Sequence, residues 1–582
     1  MPFRYALASV LALAVAAMLV PRAAAAQQPT DSTLRDVLVT FADWPDLSAA
    51  DALATKTEKG AYVYAALRQH GARYDGLLAR LIADSVHHEY LWAAGALYVA
   101  RADSALVDEL ARRDDVACVA DALGLRVDDP AEELAPTIRP RSAAPEWGLR
   151  FMRVPEVWDL GIRGEGAVVG GQDTGYDWDH PALRRSYRGY DAVADSATHD
   201  YHWYDAIEQN SPLNDPGTLD PCGYRTDEPC DDGSHGTHTL GTIVGEEGAN
   251  QIGVAPEADW VACRSMERGW GRPETYLRCF QWFLAPTDTD GETPRPELAP
   301  DVFANSWYCP LQEGCDTCTY PAFDRAVGAL RSAGVVVVAS AGNAGRGGCN
   351  TVNQVPALAP GAISVAAHDS TGAIAAFSSR GDYLLPGRGP TLAAPGVAVR
   401  SSVPDSAYRV FSGTSMAGPH VVGVVALMIS ANPALRGQVD SIEAILVRTA
   451  TPVPLDSTDA CSDPVGDYQT ERFGAGRVDA LAAVQAAQAY SGGPSGLARP
   501  TARAARLWPN PASASVTLEL PRAHVGARLE VYDAAGRLVL ARRVPQRRTT
   551  LLTEAWPAGT YAYRVVAADA LYAGRLLVRH GG

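Results

Sequence analysis

Three short segments of this 582-residue chain carry an acid, an imidazole and an alcohol, the groups that nucleophilic catalysis combines. The acid is Asp173, which follows the apolar residues 167–169 and precedes Thr174 and Gly175. An aspartate at the carboxyl end of a buried strand stands where open α/β sheets bind ligands. Taken alone, Asp173 is more simply explained as a helix cap or a turn residue.

The imidazoles are His235 and His238, three residues apart at the start of a stretch that predicts a helix through residue 244. Next to Asp231 and Asp232 they could form a metal site, although no HExxH motif or comparable ligand set accompanies them. Alternatively, His235 is a catalytic base near the helix start and His238 packs behind it. The residues alone leave both interpretations open.

The alcohol is Ser415, which is flanked by Gly413 and Ala417 and lies ahead of the apolar residues 421–429. Those residues predict a helix, so the hydroxyl would lie at a helix N-terminus. Backbone N–H groups and the helix dipole favour a developing negative charge there. The small neighbours would let a substrate backbone approach closely, and they argue against the alternative of an ordinary helix cap.

The scaffold for these segments is predicted by an alternation of strands and helices between residues 146 and 490. Four apolar runs without polar alternation are expected to be strands buried on both faces of a parallel sheet: 167–169, 260–263, 302–303 and 335–338. Two amphipathic stretches predict helices: 273–283 and 321–333. The pattern indicates an α/β fold with a doubly wound, mainly parallel sheet.

Composition and charge exclude several classes of protein. Apolar residues make up 47% of the chain, which is enough for packed cores and excludes extensive disorder. The 50 basic and 67 acidic residues give a net charge of −17, which argues against a nucleic-acid-binding protein. The mean hydropathy of −0.09 excludes a polytopic membrane protein. The length suggests about three to five domains.

The N-terminal part is predicted to contain a signal peptide and a small domain. Residues 1–26 predict a secretory signal, because Arg4 precedes an uncharged apolar run and Ala24-Ala25-Ala26 offers small residues for cleavage. A membrane anchor is the alternative, but the run is short for a span. Residues 27–140 predict a small α+β domain. Its expected strands are 37–41, 91–99 and 116–119, and its expected helices are 61–81 and 105–110.

The C-terminal part is predicted to be a separate module. Residues 141–490 form the α/β domain, and residues 491–505 read as a flexible linker rich in glycine, serine and proline. Residues 506–582 alternate apolar and polar positions, which predicts a small antiparallel β-sandwich. Its expected strands are 516–520, 528–532, 561–565 and 573–578.

Ten cysteines accompany the predicted export, which permits disulfides. Cys222 and Cys230 are close enough for a local bridge, and Cys263 and Cys279 are sixteen residues apart. Nine cysteines lie between residues 222 and 461. Because nine is odd, at least one thiol stays free or pairs outside this set, where Cys118 stands alone. A zinc site at Cys315 and Cys318 is a weaker alternative, since no second close pair of ligands is present.

Together the three segments resemble the motifs of the subtilisin-like (S8) serine peptidases, including their chain order of Asp, His and Ser. Further matches point to the bacillopeptidase F-like branch: 262–264, 305–307 and 377–381. The resemblance implies that Ser415 is the nucleophile, that His235 is the general base and that Asp173 orients His235. It also implies that Asn343 donates its side-chain amide to the oxyanion beside the Ser415 backbone N–H.

The same resemblance implies where a peptide would bind. The family binds substrate as an additional strand, and the implied substrate-binding residues on the two walls are Asn305, Ser306, Trp307, Ser340, Ala341 and Gly342. Tyr308 stands where many members have glycine, so its bulk is expected to reshape a subsite. The family often binds structural Ca²⁺, which is therefore possible here, but no Asp-x-Asp-x-Asp-Gly loop occurs. We name no metal ligands and expect a solvated acidic loop: Asp215, Asp220, Asp227, Asp231 and Asp232.

The flanking modules resemble those of exported zymogens. Residues 27–140 stand where such peptidases carry an inhibitory pro-domain, with removal expected near 130–146; a permanent N-terminal domain is the alternative. The tail resembles the C-terminal sorting domain of type IX secretion cargo, through residues 508–512, 531–537 and 551–561. A substrate-binding β-module is the alternative for the tail.

These features predict a secreted serine endopeptidase made as a zymogen. Its expected partners are protein or peptide substrates, its own pro-domain and the secretion machinery, with no nucleic acid, and a monomer is expected. The alternative is a non-proteolytic binding protein that retains the fold. An esterase or lipase is disfavoured, because the Ser415 segment lacks the second glycine of Gly-x-Ser-x-Gly and the chain order differs.

Overall fold

The computed structural model describes residues 34–122, 137–138, 144–211, 213–214, 217, 220–381, 389–454, 461, 470–491, 506–510, 512–520, 524–525, 527–532, 538–554, 556–566 and 571–579. The predicted signal peptide, residues 1–26, and residues 492–505 of the predicted linker lie outside the described residues.

The N-terminal module, defined here as residues 34–122, is an antiparallel sheet with helices. Its elements are β1 (Arg35–Phe41), α1 (Lys56–Gly71), α2 (Asp75–Ala83), β2 (His88–Leu91), β3 (Ala96–Ala102), α3 (Ser104–Ala111) and β4 (Val116–Asp121). The strand order is β2-β3-β1-β4, with every neighbouring pair antiparallel. This arrangement agrees with the small α+β domain predicted from the sequence.

Two predicted elements of this module are divided in the structure. The helix expected at 61–81 is broken after Gly71, where the chain passes so close to Tyr90 that a Cβ would lie 2.5 Å from its ring. The strand expected at 91–99 is a hairpin, because a tight turn between β2 and β3 ends at Gly95 with a φ of +59°. Tertiary packing and turn geometry therefore override the hydrophobic pattern at these places.

The central α/β domain carries most of the regular structure. Its strands are β5 (Thr137–Ile138), β6 (Val168–Asp173), β7 (Tyr190–Asp191), β8 (Ser196–Ala197), β9 (Trp203–Asp205), β10 (Glu246–Glu247), β11 (Asn250–Gln251), β12 (Asp259–Arg264), β13 (Val302–Asn305), β14 (Val336–Ser340), β15 (Ile363–His368), β16 (Leu392–Pro395), β17 (Val399–Val403) and β18 (Ala407–Phe411). Its helices are α4 (Trp147–Phe151), α5 (Val154–Trp158), α6 (His235–Val244), α7 (Pro273–Leu284), α8 (Tyr320–Ser332), α9 (Thr414–Ala431), α10 (Val439–Thr449), α11 (Thr470–Phe473) and α12 (Ala480–Gln488).

Seven of these strands form one parallel sheet in the order β16-β15-β14-β13-β6-β12-β9. Alternate side chains of a strand enter two different cores: Val336 and Val338 pack with α6 and α9, whereas Val337 and Ala339 pack with α7 and α8. Because both faces are covered, the strands are apolar without polar alternation. The predicted doubly wound α/β fold is confirmed.

Helix α9 begins at Thr414 and is buried within this domain. By length and composition it could cross a membrane, but 83% of the helix is buried inside the protein. There it packs against α6 and the strands β13 to β16. It is therefore the core helix of the α/β domain, and the Ser415 segment is its first turn.

The C-terminal module is a small sandwich of two antiparallel sheets. Its strands are β19 (Arg506–Trp508), β20 (Ser515–Glu519), β21 (Arg528–Tyr532), β22 (Leu538–Arg543), β23 (Arg548–Leu552), β24 (Gly559–Val566) and β25 (Leu571–Val578). The sheet orders are β19-β20-β23 and β22-β21-β24-β25. Val516 and Leu518 from one sheet share a core with Leu529 and Val565 from the other, as expected for a sandwich.

All ten cysteines form disulfides: Cys118–Cys318, Cys222–Cys230, Cys263–Cys279, Cys309–Cys315 and Cys349–Cys461. The expected local bridge between Cys222 and Cys230 is confirmed. The zinc interpretation is wrong, because Cys315 and Cys318 belong to two different disulfides. The odd cysteine of the later set pairs with Cys118, in the N-terminal module.

Strand β6 leaves no room for a larger residue at Gly170. A Cβ there would lie 2.8 Å from the Phe303 Cβ and 2.9 Å from the Phe283 ring. We expect Gly170→Ala to lower the free energy of unfolding by about 1–3 kcal/mol through overpacking, measured by urea titration with fluorescence detection.

Gly328 in α8 is the matched control for this substitution, because a Cβ there would have no neighbour within 4 Å. Gly328→Ala should stabilise the protein by up to about 1 kcal/mol, since alanine favours a helix over glycine. Equal stability of Gly170→Ala and the parent protein would contradict the packing argument.

Candidate active site

The first two predicted site residues meet at the carboxyl edge of the parallel sheet. Asp173 is the last residue of β6 and His235 is the first residue of α6. His235 Nδ1 lies 2.7 Å from Asp173 Oδ1, which also accepts a hydrogen bond from the Thr174 backbone N–H at 2.8 Å. Asp173 is buried and His235 is partly exposed. The carboxylate therefore orients the imidazole ring through Nδ1, and Nε2 is the ring nitrogen on the side away from Asp173.

Ser415 reaches the same edge through β13. The register pairs Asn305 with Gln172, so the next residues, Ser306 and Asp173, end adjacent strands. Ser415 Oγ donates to the Ser306 backbone oxygen at 3.0 Å, and Ser306 Oγ donates to the Ser415 backbone oxygen at 3.0 Å. These two bonds attach the first turn of α9 to the end of the sheet beside Asp173.

The carboxylate of Asp231 joins the Asp173 turn to the His235 helix. Asp231 Oδ1 accepts from Thr174 Oγ1 at 2.8 Å and from the backbone N–H groups of Gly233 and Ser234 at 2.9 Å. Asp231 Oδ2 accepts hydrogen bonds from the Thr237 backbone N–H at 3.0 Å and from the Thr237 hydroxyl. One side chain thus holds both segments that carry the acid and the imidazole.

The sequence predicts Asp231 to be a member of a solvated acidic loop or a neighbour of a metal site, and neither interpretation gives it a positioning role. An aspartate a few residues ahead of a predicted helix is a capping candidate, and this position was the available signal. The sequence did not indicate that the same carboxylate also binds Thr174, because that contact is 57 residues away along the chain.

His238 has a structural environment that differs from that of His235. It is buried, its Nε2 lies 3.2 Å from the backbone oxygens of both Val399 and Arg409, and its ring stacks on Phe411. Burial, followed by the proximity of His235, lowers the pKa of His238 to about 3, so the ring stays neutral. The alternative of a metal site at His235 and His238 is wrong, because His238 donates to two carbonyls and Asp231 is saturated by donors.

Asn343 lies between the end of β14 and the start of α9. Its Oδ1 accepts hydrogen bonds from the Thr414 backbone N–H and the Thr414 hydroxyl, both at 3.0 Å. The amide nitrogen Nδ2 is thereby on the side of Gly413, where an added Cβ would lie 3.6 Å from it. The Ser415 N–H belongs to the first turn of α9, where N–H groups have no intrahelical partner. Two donors can therefore serve one anionic oxygen near Ser415.

The residues expected to line the substrate groove are buried to different extents. Asn305 donates to the Val338 backbone oxygen at 3.1 Å, and Trp307 stacks on Tyr276 with ring centroids 3.7 Å apart. Both side chains are buried, so these two positions can offer a peptide only their backbone. Tyr308, by contrast, is 36% exposed.

The opposite wall follows β14. Ser340 and Ala341 are buried, and the Ala341 N–H donates to the Val365 backbone oxygen at 3.0 Å. Gly342 has a φ of +101° and its N–H donates to the Thr414 hydroxyl at 3.2 Å. The segment that ends in Asn343 is therefore attached both to the sheet and to the first turn of α9.

The acidic loop is largely buried rather than solvated. The guanidinium of Arg264 is fully buried and contacts Asp205 at 3.2 Å and both Asp220 and Asp232 at 2.5 Å. Asp231 is occupied as described above, Asp227 is exposed, and Asp215 lies outside the described residues. The expectation of a solvated loop is therefore wrong for Asp220, Asp231 and Asp232.

Asp220 and Asp232 do not fit a calcium site, because the buried guanidinium of Arg264 already occupies their oxygens. Within the described ranges, no group of three or more His, Cys, Asp or Glu side chains is arranged to hold a metal ion.

Comparison with known proteins identifies two parts of the chain. Residues 164–476 match the model of the Subtilase family, and residues 506–579 match that of the Secretion system C-terminal sorting domain. With five disulfides, the sorting domain makes this a secreted or cell-surface protein.

Characterised relatives cover the central domain. The chain is 38% identical to Bacillopeptidase F of Bacillus subtilis over 348 residues, which is 59% of this chain and 22% of that protein. It is 29% identical to Subtilisin E of Bacillus subtilis over 289 residues, which is 49% of this chain and 61% of that protein. The chain thus spans less than two thirds of either relative. Because the family match covers more than half of its residues, the chain belongs to the Subtilase family.

Proposed function

We propose that this protein is a secreted serine endopeptidase that hydrolyses peptide bonds through an acyl-enzyme. The observation that carries the proposal is the 2.7 Å contact between Asp173 and His235 at the same edge of the sheet to which Ser415 is attached through Ser306. The relatives named Bacillopeptidase F and Subtilisin E support the same activity.

In the proposed reaction, Ser415 Oγ attacks the carbonyl carbon of the scissile peptide bond. His235 Nε2 takes the hydroxyl proton and then gives it to the leaving amine as the C–N bond breaks. Asp173 keeps Nδ1 protonated and stabilises the imidazolium that forms between these transfers. Water then attacks the acyl-enzyme, with His235 again accepting and returning the proton.

The oxygen of the tetrahedral intermediate is proposed to accept from Asn343 Nδ2 and from the Ser415 N–H. Thr414 supports this role because it occupies the amide oxygen of Asn343 with two hydrogen bonds. The amide is then turned so that its nitrogen, and not its oxygen, faces the developing charge. The donors are fixed before the reaction and need little reorganisation.

Substrate is proposed to bind as an extended strand along the two walls described above. Asn305, Ser306 and Trp307 would offer backbone groups on one side, and Ser340, Ala341 and Gly342 would line the other. Tyr308 has an exposed ring at the edge of the first wall, so its side chain is proposed to restrict one subsite.

The N-terminal module, within the predicted domain 27–140, is proposed to act as the folding and inhibitory partner of a zymogen. Its shared core with α7 and α8 supports this role. The chain is expected to be cut near 130–146, after export by a type IX system that the sorting domain supports. We propose that the mature enzyme is a monomer that acts on proteins or peptides.

A fluorophosphonate probe tests the proposed chemistry directly. It should label Ser415 in processed protein freed of the N-terminal module and fail to label the His235→Ala variant, because the serine then lacks its base. The same preparation should hydrolyse casein. Ser415→Ala should leave the chain uncut if processing is autocatalytic. Processed protein freed of the module that is unlabelled and leaves casein intact would instead favour a binding protein with this fold.

Two variants distinguish the hydrogen bonds of Asp231 from the negative charge that it adds to the loop. Asp231→Asn replaces an acceptor oxygen by an NH₂ group that cannot serve the bound donors. The resulting shift of His235 against Asp173 should lower kcat by about 10- to 100-fold with a smaller change in KM. Asp227→Asn, in the exposed part of the same loop, should stay within about twofold of the parent protein. An unchanged kcat in a folded Asp231→Asn variant would contradict the positioning role.

The side chain of Tyr308 can be tested as the group that restricts one subsite. Tyr308→Gly should change the cleavage preference across a peptide library more than it changes the turnover of a small ester, because the ester does not reach that subsite. The two measurements are made on the same preparation. Identical peptide profiles for the variant and the parent protein would refute the restriction.

A further inference from the structure

The N-terminal module, residues 34–122, is joined to the α/β domain by a covalent bond in addition to the chain itself. Cys118 lies in β4, and Cys318 lies just before α8. The two cysteines are 200 residues apart in sequence and their Cα atoms are 5.7 Å apart. The other four disulfides each close a loop within the α/β domain. Cys118–Cys318 is therefore the one that determines whether the two parts can separate.

The disulfide lies at the margin of a docked interface. Thr40 Oγ1, beside Cys118 in the sheet, donates to the Cys318 backbone oxygen at 3.4 Å. Arg325 on α8 donates to the Phe41 backbone oxygen at 2.7 Å and to that of Ala42 at 3.1 Å. Because these bonds attach β1 to the start of α8, the two sulfurs meet in the docked arrangement without displacement of either part.

Apolar packing continues across this interface. One buried cluster contains residues of both parts, including Leu38, Val63 and Leu91 from the module and Phe280, Phe323 and Val327 from α7 and α8. Departure of the module would expose these aromatic and aliphatic side chains to water. An apolar surface of this kind disfavours a free α/β domain.

The only two lysines of the chain, Lys56 and Lys59, also bind across the interface. Lys56 Nζ donates to Asp301 Oδ1 at 2.9 Å and to the Ala299 backbone oxygen at 2.6 Å, with the Asp301 side chain 1% exposed. Lys59 Nζ donates to the Gly437 backbone oxygen at 2.8 Å. Breaking a buried ion pair by removing one partner is unfavourable, so these contacts also oppose separation.

We propose that the Cys118–Cys318 disulfide makes the N-terminal module a covalently retained part of the processed protein. A chain cut between residues 122 and 144 then produces two polypeptides held by one disulfide. Release of the module requires both the cut and reduction. Without reduction the module remains at an effective concentration set by its tether, however far the protein is diluted.

Reduction needs an external thiol, because all ten cysteines of the chain are paired. Two electrons from a dithiol would break the S–S bond and leave Cys118 and Cys318 as thiols. The dithiol would close to its own disulfide and supply both protons. In an oxidising extracellular environment the bond persists, so the processed protein would keep its module there.

The test uses the full-length Ser415→Ala protein and added trypsin, so it does not depend on the proposed peptidase activity. Arg126 and Arg141 offer trypsin sites between the two described parts. After brief digestion, denaturing gels without reductant should show the module attached to the remainder, and dithiothreitol should separate the two. Size exclusion of the unreduced sample should give one peak over a 100-fold dilution.

Cys118→Ser/Cys318→Ser in the same background should give two fragments without reductant, and its module should dissociate progressively on dilution. Cys222→Ser/Cys230→Ser removes a disulfide within the α/β domain and should behave like the parent protein. Circular dichroism of the uncut variants verifies folding. Loss of the module from the unreduced parent would overturn the proposal. Retention of the module by the cut double-serine variant at every dilution would also overturn it, because reduction would then not govern release.

Discussion

The buried carboxylate of Asp231 is the interaction on which the geometry of the site depends. Asp173 lies on a strand and His235 on a helix, and neither element fixes the distance between them. Asp231 binds Thr174 next to Asp173 and also the N–H groups around His235, so one carboxylate holds the two segments together. The sheet positions Ser415, the third residue of the candidate site. Strands β6 and β13 end side by side, and Ser306 after β13 binds the first turn of α9.

A second buried charge stabilises the loop that contains Asp231. Arg264 ends β12 and binds carboxylates on both sides of the Cys222–Cys230 disulfide, so the strand, the loop and the start of α6 share one guanidinium. A buried ion pair of this kind adds little to the free energy of unfolding. Removing one partner is nevertheless strongly destabilising, because it leaves an unpaired charge in the interior. Its contribution is a defined loop conformation next to the site.

The sequence predicted the features that depend on local pattern. Valine-rich runs such as 335–338 specified buried strands because both faces of the sheet are covered, and the three short motifs indicated the candidate site residues. Contacts between distant residues were not predictable from one sequence. The pairing of Cys118 with Cys318, the burial of Asp220 and Asp232 around Arg264, and the break after Gly71 all depend on residues that meet only in the folded chain.

The placement of both lysines has a practical consequence for amine chemistry. An acylating reagent finds its usual protein targets, the ε-amino groups, only at Lys56 and Lys59, and both are engaged between the two parts of the molecule. Side-chain acylation is therefore slow as long as the parts stay together and accelerates when they separate. The chain thus contains its own reporter of undocking, readable by mass spectrometry without an added label.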